Sequence, residues 1–345
     1  MTKAIQVGGV TVGGGAPISI QSMTNTRTDD VEATLSQIRA LAAAGCDIVR
    51  VAVPDMAAAK AVGKIKENCP LPLVVDIHFD YKLALEAIAA GADKVRINPG
   101  NIGGADKVKA VADACRQRGI PIRIGVNGGS LEKELLAKYG RVCPEAMVES
   151  AFGHIRLLQQ FDFDDICVSL KSSSVPITMK AYQLMSQQSN YPLHIGVTEA
   201  GTVRMGTLKS AVGIGGLLAL GIGDTMRVSL SADPVQEVYA AREILKAAGI
   251  RQEGAELVSC PTCGRTRIDL IALANEVEER LKGVDKPITV AVMGCVVNGP
   301  GEASAADCGI AGGVGEGLLF KKGQIIKKVP QDQLVDELFA LIDTL

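Results

Sequence analysis

Residues 259–265 read SCPTCGR, a Cys-x-x-Cys pair, and a third cysteine, Cys295, follows in MGCVVNGPGEA, with Glu302 seven residues on and Cys308 beyond. Thiolates at such spacing select soft metals, either zinc or iron–sulfur. A structural zinc site ordinarily closes with a second cysteine pair or a histidine pair nearby. The three histidines, His78, His154 and His194, all lie far upstream. Spacing therefore leaves the fourth ligand open. Cys260, Cys263, Cys295 and Cys308 would make a zinc site, and the first three with an atypical partner would hold an iron–sulfur cluster. Cys46, Cys69, Cys115, Cys143 and Cys167 are scattered and read as core or surface thiols.

A second set of chemical groups recurs at the ends of short β-branched runs: Arg50, Asp76 and His78, Arg96 and Asn98, Arg123 and Asn127, Lys171, Glu199 and Arg227. Arginine's planar fork suits phosphate, so these cations, converging, would trap an anion. Structural ion pairing is the competing account, but within the set only Asp76 and Glu199 offer carboxylates. Glu199 is a candidate acid or base, tuned by neighbouring cations and burial. Asp76 would orient a cation or His78, and His78 is a catalyst or a packed side chain with equal justification. His154 and His194 read as structural. The glycine clusters at 13–15 and 312–317 lack the Lys-Ser/Thr of a P-loop and read as turns.

Groups spread this widely need a frame that brings strand ends together. The runs at 17–23, 48–53, 71–79, 94–99, 121–127, 165–171, 193–199 and 225–230 alternate with Ala- and Leu-rich helical segments, several stopped by glycine. Strands apolar on both faces and separated by helices form a parallel sheet with both faces covered. Eight units in about 250 residues is the size of a (β/α)8 TIM barrel, whose active groups gather at the C-terminal strand ends. An open doubly wound sheet is the alternative. GCDIVRV (45–51) and GADKVRI (91–97) repeat one another, with GIGDTMRV (221–228) as a looser copy. Glycine and aspartate there read as parts of the modular unit. An arginine inside each strand run does not, because an unpaired buried guanidinium is very costly.

Composition narrows the function classes. Lys+Arg number 36 and Asp+Glu 38, so no global basic field draws nucleic acid or anionic membrane. Aromatic residues are 3% with no tryptophan, which argues further against base stacking. The most lipid-like run, AVGIGGLLALGI at 211–222, is short of the roughly 20 residues of a membrane span and reads as a buried helix. MTKAIQVGGVTVGGG lacks a signal-peptide segment, and nine cysteines point to reduced thiols and a cytoplasmic protein.

Taken together, SCPTCGR, MGCVVNGPGEA, IQSMTNT, VDIHF, VRINPGN, GVNGGSL, VSLKSS and GVTEAG resemble the 4-hydroxy-3-methylbut-2-enyl diphosphate synthase family across essentially the whole chain. The resemblance implies a TIM barrel over 1–250 that binds substrate and a smaller α/β domain over 251–345 carrying a [4Fe–4S] cluster. The ligands it implies are Cys260, Cys263, Cys295 and Glu302, with Cys308 a bystander. The implied enzyme is an iron–sulfur oxidoreductase of isoprenoid biosynthesis, fed by ferredoxin or flavodoxin. It opens 2-C-methyl-D-erythritol 2,4-cyclodiphosphate with two electrons and loss of water. Arg50, Arg96, Arg123, Lys171 and Arg227 would hold the diphosphate, Asn98 and Asn127 would orient it, and Glu199 would move protons with Asp76 and His78 nearby. The residues alone also allow a zinc-stabilised barrel acting on a phosphorylated or pterin-like substrate, or a metal-containing sensor that binds an anionic metabolite.

Topology adds one expectation. Each barrel helix runs away from the mouth, so DPVQEVYAAREILKAAG ends at the opposite face, and only GIRQEGAELV separates it from the Cys260 motif. Ten extended residues reach at most roughly 33–36 Å. A head-to-tail homodimer, each cluster domain capping its partner's barrel, removes the difficulty.

Overall fold

The apolar strand runs pair side by side in a computed structural model that describes residues 1–252, 254–295 and 303–345. Two compact units result, Met1–Ile250 and Arg251–Leu345. In the first, β1 (Ile5–Val7) and β2 (Val10–Val12) make a hairpin. The ring strands follow: β3 (Ser19–Met23), β4 (Ile48–Ala52), β5 (Leu73–Asp76), β6 (Lys94–Ile97), β7 (Ile122–Asn127), β8 (Ile166–Lys171), β9 (His194–Ile195) and β10 (Thr225–Met226). They pair in parallel in the order β8-β7-β6-β5-β4-β3-β10-β9. A parallel bridge from Val168 to Leu193 joins the two ends of that order. The sheet closes into a (β/α)8 barrel, which an open doubly wound sheet cannot do.

Side-chain caps set where the helices begin. Asp30, Asp55, Asp80, Ser174 and Asp233 each accept a backbone N–H in the first turn of the helix that follows, satisfying donors that a helix start leaves open. The inner faces of these helices, with Ile38, Leu41, Val62, Ile65 and Val238, pack on outward strand residues such as Val49, Val51 and Val75 in one continuous core.

The sequence repeat has a physical cause beyond modularity. Asp47, Asp93 and Asp224 stand at the entries of β4, β6 and β10, and each accepts an N–H from the neighbouring strand. The donors are Ile20 at 2.7 Å, Leu73 at 2.6 Å and Leu193 at 2.7 Å. Each aspartate pins strand register at the barrel floor and so fixes the height of the arginine that follows it. The hairpin closes that floor: Ile5, Val7 and Val12 pack on Ile48, Val74 and Cys167. IQVGGVTV is a hairpin pattern, two alternating runs around Gly-Gly.

Four expected elements differ. The runs at 193–199 and 225–230 shrink to two paired residues each, and Glu199 turns the chain with φ of +52°. The run at 71–79 leaves the sheet after Asp76, so that His78 and Phe79 are exposed. The 211–222 segment is helical, with a π-helical turn at Ala211–Gly215. It is only half buried, because Val212 and Leu220 face outward while Ile214 and Leu217 join the core. Among the described residues no helix is long and apolar enough to cross a membrane.

The second unit is a five-stranded sheet: β11 (Glu256–Ser259), β12 (Thr289–Met293), β13 (Cys308–Gly312), β14 (Glu316–Lys321) and β15 (Gln324–Pro330). The first three strands are parallel and the last two antiparallel. Helices Leu270–Leu281 and Leu334–Asp343 contribute Val277, Leu281, Leu334 and Leu338 to a core against one face. Ala291, Met293, Ala303, Ala311 and Phe320 form a smaller cluster on the other. The glycines at 312–317 do form a turn, between β13 and β14.

Candidate active site

Strand register assembles the cations at the barrel mouth. Asp76, Arg96 and Arg123 are direct neighbours on β5, β6 and β7, and Asn127 stands beside Lys171 on β7 and β8. Arg50, Arg96, Arg123 and Lys171 are all at most 8% exposed, a burial that cations tolerate only beside a counter-charge. One carboxylate serves them. Asp76 Oδ1 lies 3.0 Å from Arg96 Nη1, and its Oδ2 lies 3.6 Å from Arg50 Nε and 3.8 Å from His78 Nε2. Burial opposes the charge on Asp76, but Arg50 and Arg96 outweigh it and hold the carboxyl well below its usual range. Asp76 is therefore a fixed anion that sets two guanidinium forks.

The rest of the row is over-supplied with positive charge. Arg50 directs Nε and Nη2 at Met23 Sδ, at 3.2 and 3.0 Å, a weak acceptor. Arg123 donates Nη1 to Gln21 Oε1 at 2.7 Å, and its buried Nε has no partner among the described residues. Burial and then Arg96 push the proton affinity of Arg123 down to about 10. Burial, with Arg123 and Arg50 next, pushes Lys171 well below the ordinary lysine value. Arg96 passes so close to Gly125 that a Cβ there would lie 2.4 Å from its Nε. Glycine is thus the residue β7 needs at this level. Such crowding of like charge is costly, and a polyanion would relieve it.

Arg227 differs from the others. Its Nε and Nη2 form a bidentate pair with Glu237 at 3.1 and 2.9 Å, and Glu237 also accepts from Ser22 Oγ and the Leu230 N–H. The sequence reading missed this carboxylate because it counted acids on strands only. Its signal was available: Glu237 is an acid on the buried stripe of helix Pro234–Ala247, between Pro234 and Val238. Glu199 is exposed and forms no ion pair among the described residues. A positive φ on a non-glycine residue is a strain that commonly marks functional sites. Asn98 is buried and its Oδ1 accepts the Gly100 N–H at 3.1 Å. His194 is fully buried, contacts Thr225 Oγ1 through Nδ1, and is held neutral by burial and Arg123. Beneath the row stands Lys94, which no sequence signal singled out because it opens a strand inside KVRI. It is fully buried, and its Nζ lacks a partner among the described residues.

The second unit gathers cysteines at one end of its sheet. Cys260 directly follows β11 and Cys295 lies just beyond β12, its parallel neighbour. Gly294 straps the two loops together, donating its N–H to Cys260 Sγ at 3.1 Å and accepting from the Arg267 N–H at 3.1 Å. Cys263 is exposed in a turn closed by reciprocal bonds with Thr266. The Arg265 backbone N–H, foremost, lowers its thiol's proton affinity. Glu302 lies outside the described residues, and among those described no three His, Cys, Asp or Glu side chains converge tightly enough to grip an ion. Cys308 stands apart. It pairs with Val290 at the start of β12, whereas Cys260 follows Ser259, which pairs with Val292. Cys308 is thus about 10 Å back along the strand direction from Cys260, inside the core, with its thiol pushed up to about 11 by burial. The four-cysteine zinc arrangement is not assembled. Three thiols at one sheet end, one of them receiving a backbone N–H, suit an iron–sulfur cluster completed by a non-cysteine ligand.

Comparison with known proteins adds the following. The family model described as GcpE TIM-barrel domain matches residues 2–242, and that described as GcpE protein C-terminal domain matches residues 256–344. The chain is 63% identical over 342 residues to a Geobacter sulfurreducens protein named 4-hydroxy-3-methylbut-2-en-1-yl diphosphate synthase (flavodoxin), covering 99% of this chain and 97% of that one. A Clostridium perfringens protein of the same name is 60% identical over 344 residues, covering 100% and 99%. One from Bacillus velezensis is 59% identical over 344 residues, covering 100% and 92%. Among solved structures, a truncated 3-deoxy-D-arabino-heptulosonate 7-phosphate synthase from Thermotoga maritima superposes with a TM-score of 0.53 at 11% identity, covering 72% of this chain and 94% of that one. That likeness concerns the barrel fold alone.

Proposed function

The chain belongs to the GcpE family, and from that premise we propose that its barrel mouth grips a cyclic diphosphate while its second unit carries the cluster that delivers electrons. The reaction is the reductive opening of 2-C-methyl-D-erythritol 2,4-cyclodiphosphate to 4-hydroxy-3-methylbut-2-enyl diphosphate. Two electrons enter, one carbon–oxygen bond to the diphosphate breaks, a neighbouring hydroxyl leaves as water and a double bond forms between the two carbons.

The observation that carries the assignment of the mouth is the buried row Arg50, Arg96, Arg123 and Lys171 with Asp76 as its carboxylate. A ligand with several phosphate oxygens replaces the missing acceptors and offsets the mutual repulsion. Asp76 keeps two forks oriented before the ligand arrives, and Glu237 does the same for Arg227. Asn98, with its oxygen already used, offers N–H groups, and Asn127 stands beside Lys171. Glu199 has no cation committed to it, which suits a group that must give up and regain a proton at the leaving hydroxyl. His78 contacts the ligand from the exposed loop after β5.

Cys260, Cys263, Cys295 and Glu302 hold the [4Fe–4S] cluster in this reading. Such a cluster supplies electrons one at a time. Glu302, as a carboxylate, would be a harder and more readily displaced ligand than a thiolate. Flavodoxin is the donor, as in the names of the relatives. Nine unpaired cysteines accord with a reducing cytoplasm. The enzyme acts as a homodimer with a cluster from each chain serving its partner's barrel. This is supported by the short 248–255 connection and by a last barrel helix that starts beside Arg227 and runs away from the mouth. Anaerobic protein given the cyclic diphosphate, dithionite and a viologen yields hydroxymethylbutenyl diphosphate. One zinc per chain, with no acid-labile sulfide and no turnover, would return the non-redox barrel reading.

A further inference from the structure

His154 lies on the inner face of helix Pro144–Gln159 and carries no role in the reading above. Its Nε2 is 2.9 Å from Glu132 Oε1, and Ser150, one turn earlier on the same helix, donates its hydroxyl to that oxygen at 3.0 Å. Burial lowers the imidazole's proton affinity more than Glu132 raises it, so the ring is neutral and gives one N–H to the carboxylate. Glu132 comes from the loop after β7, shortly beyond Asn127. The same edge of the ring abuts the turn after β6. A Cβ at Gly100 would lie 3.1 Å from His154 Cε1, 3.4 Å from Asn98 Oδ1 and 3.6 Å from Glu132 Oε1.

The four-residue turn Pro99–Ile102 is too short to hold itself in place. Its position over the mouth depends on what stands behind it, and that is the His154–Glu132 pair. Simple packing does not call for a carboxylate here. Glu132 Oε2 is buried without a partner among the described residues, a desolvation cost that an apolar residue would avoid. The Gly100 N–H engages Asn98 Oδ1, so the placement of Gly100 decides which way the Asn98 amide is turned.

We infer that Glu132 and His154 form a strut behind the Pro99–Ile102 turn that fixes Asn98 with its amide N–H available to the substrate, making both of them positioning residues for the reaction. The inference rests on the reading of Asn98 as a substrate ligand.

A double-mutant cycle tests it. KM and kcat for the cyclic diphosphate are measured anaerobically for Asn98→Ala, His154→Ala, the double variant and His154→Gln. Each single alanine variant raises KM about five- to tenfold with kcat little changed. The double variant is no worse than Asn98→Ala alone, and His154→Gln, which keeps a donor, recovers most of the loss. Where His154→Ala does not fold, Glu132→Leu, which removes the acceptor, takes its place in the same cycle. Multiplicative losses in the double variant overturn the strut, because independent sites add in free energy. A silent His154→Ala beside an impaired Asn98→Ala overturns the strut alone. An unchanged KM for Asn98→Ala overturns the ligand reading and the strut together.

Discussion

At the barrel mouth the cationic side chains stand within strands or directly at their ends. At the cysteine end of the second unit they stand on loops that have left the sheet. Arg96 and Arg123 are ladder neighbours, their height set by register and by aspartates at the barrel floor. Cys263 sits in an exposed turn, and Cys260 is steadied by one N–H from Gly294. The mouth is therefore built before any ligand arrives, its electrostatic cost met by folding of the barrel core. The cysteine end is held by fewer contacts, as suits a metal site whose folding is coupled to binding. The two regions should fail differently, and the following variants are chosen to expose that.

Cys260→Ser has the largest expected effect: turnover is abolished and iron and sulfide content collapse, while calorimetric binding of the cyclic diphosphate to the barrel persists. Loss of binding together with iron would mean that the two regions are not separable. Next, Glu199→Gln lowers kcat by about two to four decades, the usual worth of a positioned acid or base, with the cluster spectrum and substrate affinity retained. Co-expressed with Cys260→Ser it regains activity if the site is shared between two chains, and stays inactive if each chain is self-sufficient.

Glu237→Gln then asks whether Arg227 is framework or ligand. It leaves a guanidinium half-paired in a largely buried place, and chemical denaturation should register a loss of about 3 kcal/mol. A variant of full stability but weakened substrate binding would make the pair purely functional. The smallest effect concerns Lys94. Burial, opposed by Cys167 and reinforced by Arg123, pushes its proton affinity down to about 8, whereas the unfolded chain keeps an ordinary lysine near 10.5. Below pH 8 both states hold the proton and the burial cost is borne in full. Above pH 8 the folded state sheds it first, so stability rises with pH until the unfolded lysine also titrates. Relative to Lys94→Met, the wild type should gain about 2 kcal/mol between pH 8 and 9.5 in urea unfolding. Parallel pH profiles would place Lys94 in a wetter environment than its burial indicates.

The contrast between the two regions also explains what could be read from residues alone. Arg50, Arg96 and Arg123 were legible because an arginine inside a β-branched run is anomalous on physical grounds. The barrel was legible because such runs recurred eight times. Glu237 escaped because it lies on the helix that follows β10 rather than on a strand, and only its place on the buried stripe of that helix turns it back toward Arg227. The 193–199 run was over-read as a strand because alternation does not reveal the left-handed turn at Glu199. Whether Cys308 could join the other cysteines depended on strand direction, which spacing does not encode. In a parallel arrangement the start of β13 lies far from the end of β12.

The closure of the barrel is uneven. β7 and β8 pair over six residues, but β9 and β10 pair over two, and one bridge at Val168–Leu193 completes the ring. A hoop so joined has a seam. Local opening there sacrifices few ladder bonds, so backbone amides around Leu193–Ile195 exchange with solvent through smaller excursions than those of β4 to β7. The chain just past the seam carries Glu199 and Arg227, whereas Arg50, Arg96, Arg123 and Lys171 sit on the firmly laced staves. Opening at the seam would move the exposed carboxylate and leave Arg50, Arg96, Arg123 and Lys171 in register.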